Sequence, residues 1–124
     1  MERYNKPKYT ETERRQYKRL NVYHMSTPIK IKTKNEEILV PGILLDISAG
    51  GVGLLMFKEI PLGSIVELSI GLNNLSTDII KAKVVWVKAS EKTYRLGLKF
   101  IEISKKDFEN IFNFVEQHLK EDMQ

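Results

Sequence analysis

The chain contains no cysteine, which excludes disulfides and thiolate metal sites. It has only two histidines, His24 and His118, at opposite ends of the sequence, so no clustered groups stand ready to exchange protons near neutrality. There is no H-x-x-x-H pair, no acidic calcium loop, and no G-x-S-x-G elbow around Ser48. With neither a positioned base nor a metal-ligand set, no catalytic residue, metal or cofactor is expected, and the chain does not read as an enzyme. No apolar run approaches the ~18 residues needed to cross a bilayer. The opening stretch "MERYNKPKYTETERR" lacks the apolar core of a secretory signal, so a cytoplasmic setting is expected. Aromatic residues make up only 9% of the chain, which counts against an extended base-stacking face and makes nucleic acid an improbable partner.

What remains is a chain of 124 residues, enough for one domain that buries roughly two thirds of the surface its unfolded form exposes. Its charge is polarised. Residues 1–34 hold ten lysines and arginines against three glutamates, a surplus of seven, whereas the rest of the chain carries a deficit of three. Such a basic end suits an anionic partner, whether nucleic acid, nucleotide or membrane surface, and equally suits a solvated tail that maintains solubility.

Residues 1–10 have no periodicity and read as a flexible tail. Residues 11–22 form a charged segment in which Arg15 and Arg19 share a face if helical, with Tyr17 and Leu20 as the apolar anchors if it is a loop. Residues 23–124 read as the folded body. Period-2 alternation of Ile29 and Ile31 with lysines marks a strand, and "ILVPGILLDI" a second in which Pro41-Gly42 predicts an edge or a bulge. Further strands follow at "VGLLMF", "SIVELSIGL", "DIIKAKVVWVK" and "YRLGLKFI", with "NNLST" as a turn. Ile80, Ala82, Val84 and Trp86 fall in one phase, and Leu96, Leu98 and Phe100 in another, both assigned to the core. From about residue 104 to 120 the period becomes helical, with Phe108, Ile111, Phe112, Val115 and Leu119 as the apolar stripe, Ser104 as N-cap and Asp107 three residues on. The fold class expected is mainly β: a small six-stranded antiparallel β-barrel with a C-terminal α-helix.

Two short patterns carry chemistry. Arg15 and Arg19 form R-x-x-x-R in the basic segment, preceded by Arg14, and the planar guanidinium fork suits phosphate or the O6/N7 edge of guanine. "DISAGG", residues 46–51, joins two strands. Asp46 and Ser48 project from one face, where an ionised aspartate accepts hydrogen bonds from guanine N1–H and N2–H or from an arginine, and Ser48 donates to a phosphate oxygen. Gly50 and Gly51 permit positive φ and close backbone approach. An Asx turn accounts for the same residues without a ligand, and both readings stand at this level.

With these motifs in this order, the sequence resembles the PilZ domain family, bacterial receptors for cyclic di-GMP. Arg15-Gln16-Tyr17-Lys18-Arg19 and Asp46-Ile47-Ser48-Ala49-Gly50-Gly51 match the family's R-x-x-x-R and [D/N]-x-S-x-x-G at every defining position. "KAKVVWV" and "YRLGLKF" look like the family's last two strands, and the likeness spans roughly residues 11–120. The resemblance implies that Arg15 and Arg19 grip phosphate and guanine, that Asp46 and Ser48 hold the guanine edge and support the arginines, and that Gly51 supplies the turn and the room. It also implies that Arg14 influences whether one ligand or an intercalated pair binds. The function implied is a conformational signal to a protein partner, which in such chains ranges from a flagellar motor or pilus to an exopolysaccharide synthase or a transcription complex. A PilZ-like scaffold that binds no nucleotide, or a barrel that binds single-stranded nucleic acid, are the alternatives.

Overall fold

The computed structural model describes residues 3–4, 17–25, 28–33 and 39–122. Short strands β1 (Arg3–Tyr4) and β2 (Arg19–Asn21) precede β3 (Pro28–Thr33), β4 (Leu39–Ser48), β5 (Gly51–Met56) and β6 (Ile65–Leu68). A small hairpin, β7 (Gly71–Leu72) and β8 (Leu75–Ser76), leads to the long strands β9 (Ile80–Ala89) and β10 (Tyr94–Ser104), and helix α1 (Lys105–Asp122) follows.

Antiparallel pairing runs β10-β5-β4-β3-β6-β9, and β9 pairs back onto β10, so six strands close into a barrel. Closure pairs the ladder groups of both long strands on each side, which leaves neither as an edge for intermolecular pairing. The alternation in the sequence is what closes it. Ile31, Leu44, Leu54, Val66, Ile80 and Leu96 come from six different strands and are almost wholly buried together. Each contributes about 1.5–3 kcal/mol relative to exposure. From α1, Ile111, Phe114 and Val115 join the same core.

The helix begins as expected, with the Asp107 N–H donating to Ser104 Oγ at 3.1 Å, which satisfies one of the free donors of the first turn. The Asp107 carboxylate accepts the Asp78 N–H at 3.1 Å, tying that turn to the strand entering β9. The stripe is rotated from its expected position, because Phe114 is buried whereas Phe112 is 40% exposed.

Three expectations are corrected by register. Pro41-Gly42 is neither edge nor bulge: β4 is paired on both sides, and Gly42 leaves space for the Met56 thioether. The irregularity lies at Leu45, skipped between the Leu44↔Leu54 and Asp46↔Gly53 pairs, so Leu45 and Asp46 both leave the core side before Ile47 returns to it. A second shift pairs Gly97 with Trp86 but Leu98 with Val84, and the extra Val85 turns Trp86 out of the core phase. Trp86 is 47% exposed, whereas Phe100 is buried as expected. Finally, "NNLST" spans the tip of the β7–β8 hairpin rather than a plain turn, with Asn74 at φ 70° in the left-handed region that asparagine tolerates.

Candidate functional site

The Leu45 bulge directs Asp46 outward at the end of β4, where β2 lies alongside it with Arg19 opposite Ser48 and Asn21 opposite Asp46. The Arg19 guanidinium pairs through Nη1 with Asp46 Oδ1. Arg19 therefore stands in a short strand instead of a helix or loop, and its partner is the aspartate of the other motif. Arg14 and Arg15 lie outside the described residues.

Ser48 has a different office. Its side chain is buried, its Oγ accepts the Gly50 N–H at 3.1 Å, and it reaches the Gly51 carbonyl at 3.4 Å. The hydroxyl thus closes the two-residue turn Ala49–Gly50 as a serine turn, in place of the Asx turn expected for "DISAGG", because the Asp46 carboxylate is engaged by Arg19. The glycines are not there for φ, since neither Gly50 nor Gly51 adopts a positive value. They are there for room. A Cβ on Gly51 would collide with the Leu98 carbonyl, and one on Gly50 would stand 3.3 Å from the Tyr17 ring. The Gly50 carbonyl accepts the Phe100 N–H at 3.0 Å, which pins the turn to β10.

Across the strands, the pairs Asp46↔Gly53, Gly53↔Gly97 and Gly97↔Trp86 form one outward-facing row from β4 through β5 and β10 to β9. Its middle two positions carry no side chain. The reason is visible at both ends: a Cβ on Gly53 would lie 2.7 Å from Asp46 Oδ2, and one on Gly97 would strike the Trp86 indole. The result is a low shelf about three strand spacings wide, on the order of 14 Å, in which the Asp46 carboxylate lies over Gly53 and the Trp86 indole lies over Gly97, with both glycines buried beneath them.

The neighbouring rows on this face are cationic. Lys99 pairs with Lys83 on one side of the shelf, and Arg95 with Lys88 on the other. With Arg19 they surround the Asp46 carboxylate and the Trp86 indole, an arrangement that favours an anion carrying planar groups with N–H donors. The motifs alone did not point to Trp86, Gly53 and Gly97. The available signal was an isolated glycine inside a strand, which marks close approach.

The two histidines lie elsewhere. His118 Nδ1 lies 3.0 Å from the Phe114 carbonyl, with its ring 4.1 Å from the Phe114 ring, and His24 packs edge-on to Tyr23. Among the described residues, no three His, Cys, Asp or Glu gather to hold a metal, and no helix is long and apolar enough to cross a membrane. Two surface depressions run beside α1, one of about 880 Å³ bounded by Lys18, Glu116 and Gln117, and lie off the shelf.

The family model described as PilZ domain matches residues 13–117. Among solved structures, the chain is similar to the Bacillus subtilis Inhibitor of motility (MotI/DgrA) at 17% identity and TM-score 0.71, over 88% of this chain and 53% of that one. It is similar to Escherichia coli YcgR in complex with c-di-GMP at 21% identity and TM-score 0.67, over 90% and 48%. The PilZ domain of YcgR with c-di-GMP matches at 20% identity and TM-score 0.64, over 89% and 97%. At these identities the likeness is one of fold. The chain spans about half the length of the first two proteins. No curated protein matches the sequence.

Proposed function

The chain belongs to the PilZ domain family, and from that premise we propose that it is a receptor for cyclic di-GMP whose site is the outer barrel face between Asp46 and Trp86. The observation that carries this reading is the Arg19–Asp46 pair, which joins the two motifs at the edge of a shelf kept low by Gly53 and Gly97. Arg19, with Arg15 and Arg14 from the same segment, supplies guanidinium forks to the phosphates and to guanine. Asp46 accepts from a guanine edge and holds Arg19 in place. Ser48, Gly50 and Gly51 keep the turn that sets Asp46 at this height. A purine bound at this low row stacks on the Trp86 ring that lies over Gly97, with the Asp46 carboxylate beside it for its N–H edge.

In this reading the ligand is a signal and the chain catalyses nothing. Two phosphates engage the arginines of the basic segment, whose β2 part already pairs with β4, and the reorganised surface engages or releases a protein partner. The solved similar structures include a motility inhibitor, which makes a motility apparatus one class of partner for this chain to be tested against.

Calorimetric titration of the full chain with cyclic di-GMP tests the reading, and its stoichiometry separates one bound molecule from an intercalated pair. Saturable binding that is lost in Arg19→Ala is the result expected. Absence of binding would leave a PilZ-like scaffold that works through protein contacts alone. The exposed indole on a cationic face also suits single-stranded nucleic acid, though with one ring instead of a series. An oligonucleotide that competes with cyclic di-GMP would favour that second reading.

A further inference from the structure

Tyr17 stands between the two arginines of the first motif and touches both the second motif and the helix. Its ring lies against the turn at Gly50, where an added Cβ would come within 3.3 Å of it. The same ring meets Phe108 of α1 edge to face, with centroids 5.6 Å apart and planes at 78°. Phe108 in turn stacks on Phe112 at 6.4 Å and 21°, and Phe112 is 40% exposed. The next residue, Lys18, reaches Glu116 of α1 at 3.4 Å, and the one after it, Arg19, pairs with Asp46.

Three consecutive residues therefore bridge the site and the helix. Lys18–Glu116 is solvent-exposed and contributes little. The aromatic contact is the stronger tie, because an edge-to-face pair adds directional attraction to the area it buries. A file of rings thus begins beside the motif turn and ends at solvent on α1.

The geometry points to Tyr17 as a positioning residue that links the nucleotide site to α1, so that ligand binding and docking of the helix stabilise each other through its ring. The inference rests on the receptor reading above. It gives that reading a route from the shelf to an exterior surface centred on Phe112. Linkage makes the route two-way: whatever the ligand contributes to helix docking, helix docking contributes to ligand affinity by the same factor. Loss of Phe108, a helix residue off the outer sheet face, must then weaken ligand binding.

The test is calorimetry with cyclic di-GMP on the full chain and on Tyr17→Phe, Tyr17→Ala, Phe108→Ala and the double alanine variant. Hydrogen exchange along residues 105–122 is measured in parallel, with and without the dinucleotide. Each alanine variant should lose roughly 2- to 10-fold in affinity. The double variant should lose no more than the larger single loss, and Tyr17→Phe, which keeps the ring, should lose less than Tyr17→Ala. Ligand should slow exchange in α1 of the parent, and this slowing should vanish in Tyr17→Ala. Should Phe108→Ala not fold, Phe108→Leu makes the same comparison with the core volume kept.

Parent-like affinity in the Phe108 variant, losses that multiply in the double variant, or undiminished slowing of α1 exchange in Tyr17→Ala would each overturn the coupling while leaving the receptor reading intact. Failure of the parent chain to bind cyclic di-GMP would overturn both.

Discussion

Arg19 and Asp46, 27 positions apart in sequence, hold each other across β2 and β4 at the rim of a shelf floored by glycine. Their side chains are 52% and 28% exposed, so as a surface ion pair they contribute at most about 1 kcal/mol to stability.

The pair should matter far more to the ligand than to the fold. Losing one charge-assisted contact of ~1.5–3 kcal/mol weakens binding roughly 10- to 150-fold. Arg19→Ala and Asp46→Ala should both show this by calorimetry, and Arg15→Ala should match them. Thermal melts of the two described variants should stay close to that of the parent. Unchanged affinity in folded Arg19→Ala would remove the proposed site.

Ser48→Ala should behave in the opposite way. It leaves the buried Gly50 N–H without its acceptor, which costs about 1–3 kcal/mol of unfolding free energy. A urea titration should show a lower midpoint with unchanged slope. A midpoint equal to the parent's would mean that the hydroxyl does not close the turn.

Two glycine substitutions should separate the shelf from the barrel. A methyl at Gly53 crowds the Asp46 carboxylate, which can swing away, so Gly53→Ala should fold and bind weakly. A methyl at Gly51 meets the Leu98 backbone carbonyl, which cannot, so Gly51→Ala should lose at least ~1–3 kcal/mol of stability. Equal stability of the two variants in urea would contradict this division.

Trp86 is the one tryptophan in the chain, so its fluorescence reports on the shelf alone. Cyclic di-GMP should change its intensity and emission maximum in a saturable way. Trp86→Ala should weaken binding by about 1–3 kcal/mol, the worth of a stacked base, with little change in melting temperature because the ring is half exposed. An indole signal that ignores the ligand would move the bound purine off this face.

The sequence carried the barrel well because its signal is local. Ile29 and Ile31, or Leu96, Leu98 and Phe100, declare their faces by alternation, and Ser104 with Asp107 declares the helix start. It carried one half of the proposed site as motifs, Arg19 and Asp46, since an ionised aspartate calls for an arginine or another N–H donor opposite it. The other half depends on register. Trp86 turns outward only because Val85 is unmatched against β10, and no residue near Val85 announces that shift. Gly53 and Gly97 gain meaning from the neighbours they make room for. β2 was not legible either, because three residues flanked by charges have no measurable period, and its pairing is imposed by β4.

Strand β10 ends at Ser104 and α1 begins at Lys105, with no connecting loop. One inserted residue at that joint would turn every helix side chain by ~100° about the axis and carry Ile111 and Val115 out of the core. The joint therefore acts as a key that fixes the rotational phase of α1 to the barrel wall. Length variation in descendants of this chain should collect instead at the hairpin tips, such as Ser90–Thr93, where an added residue rotates nothing.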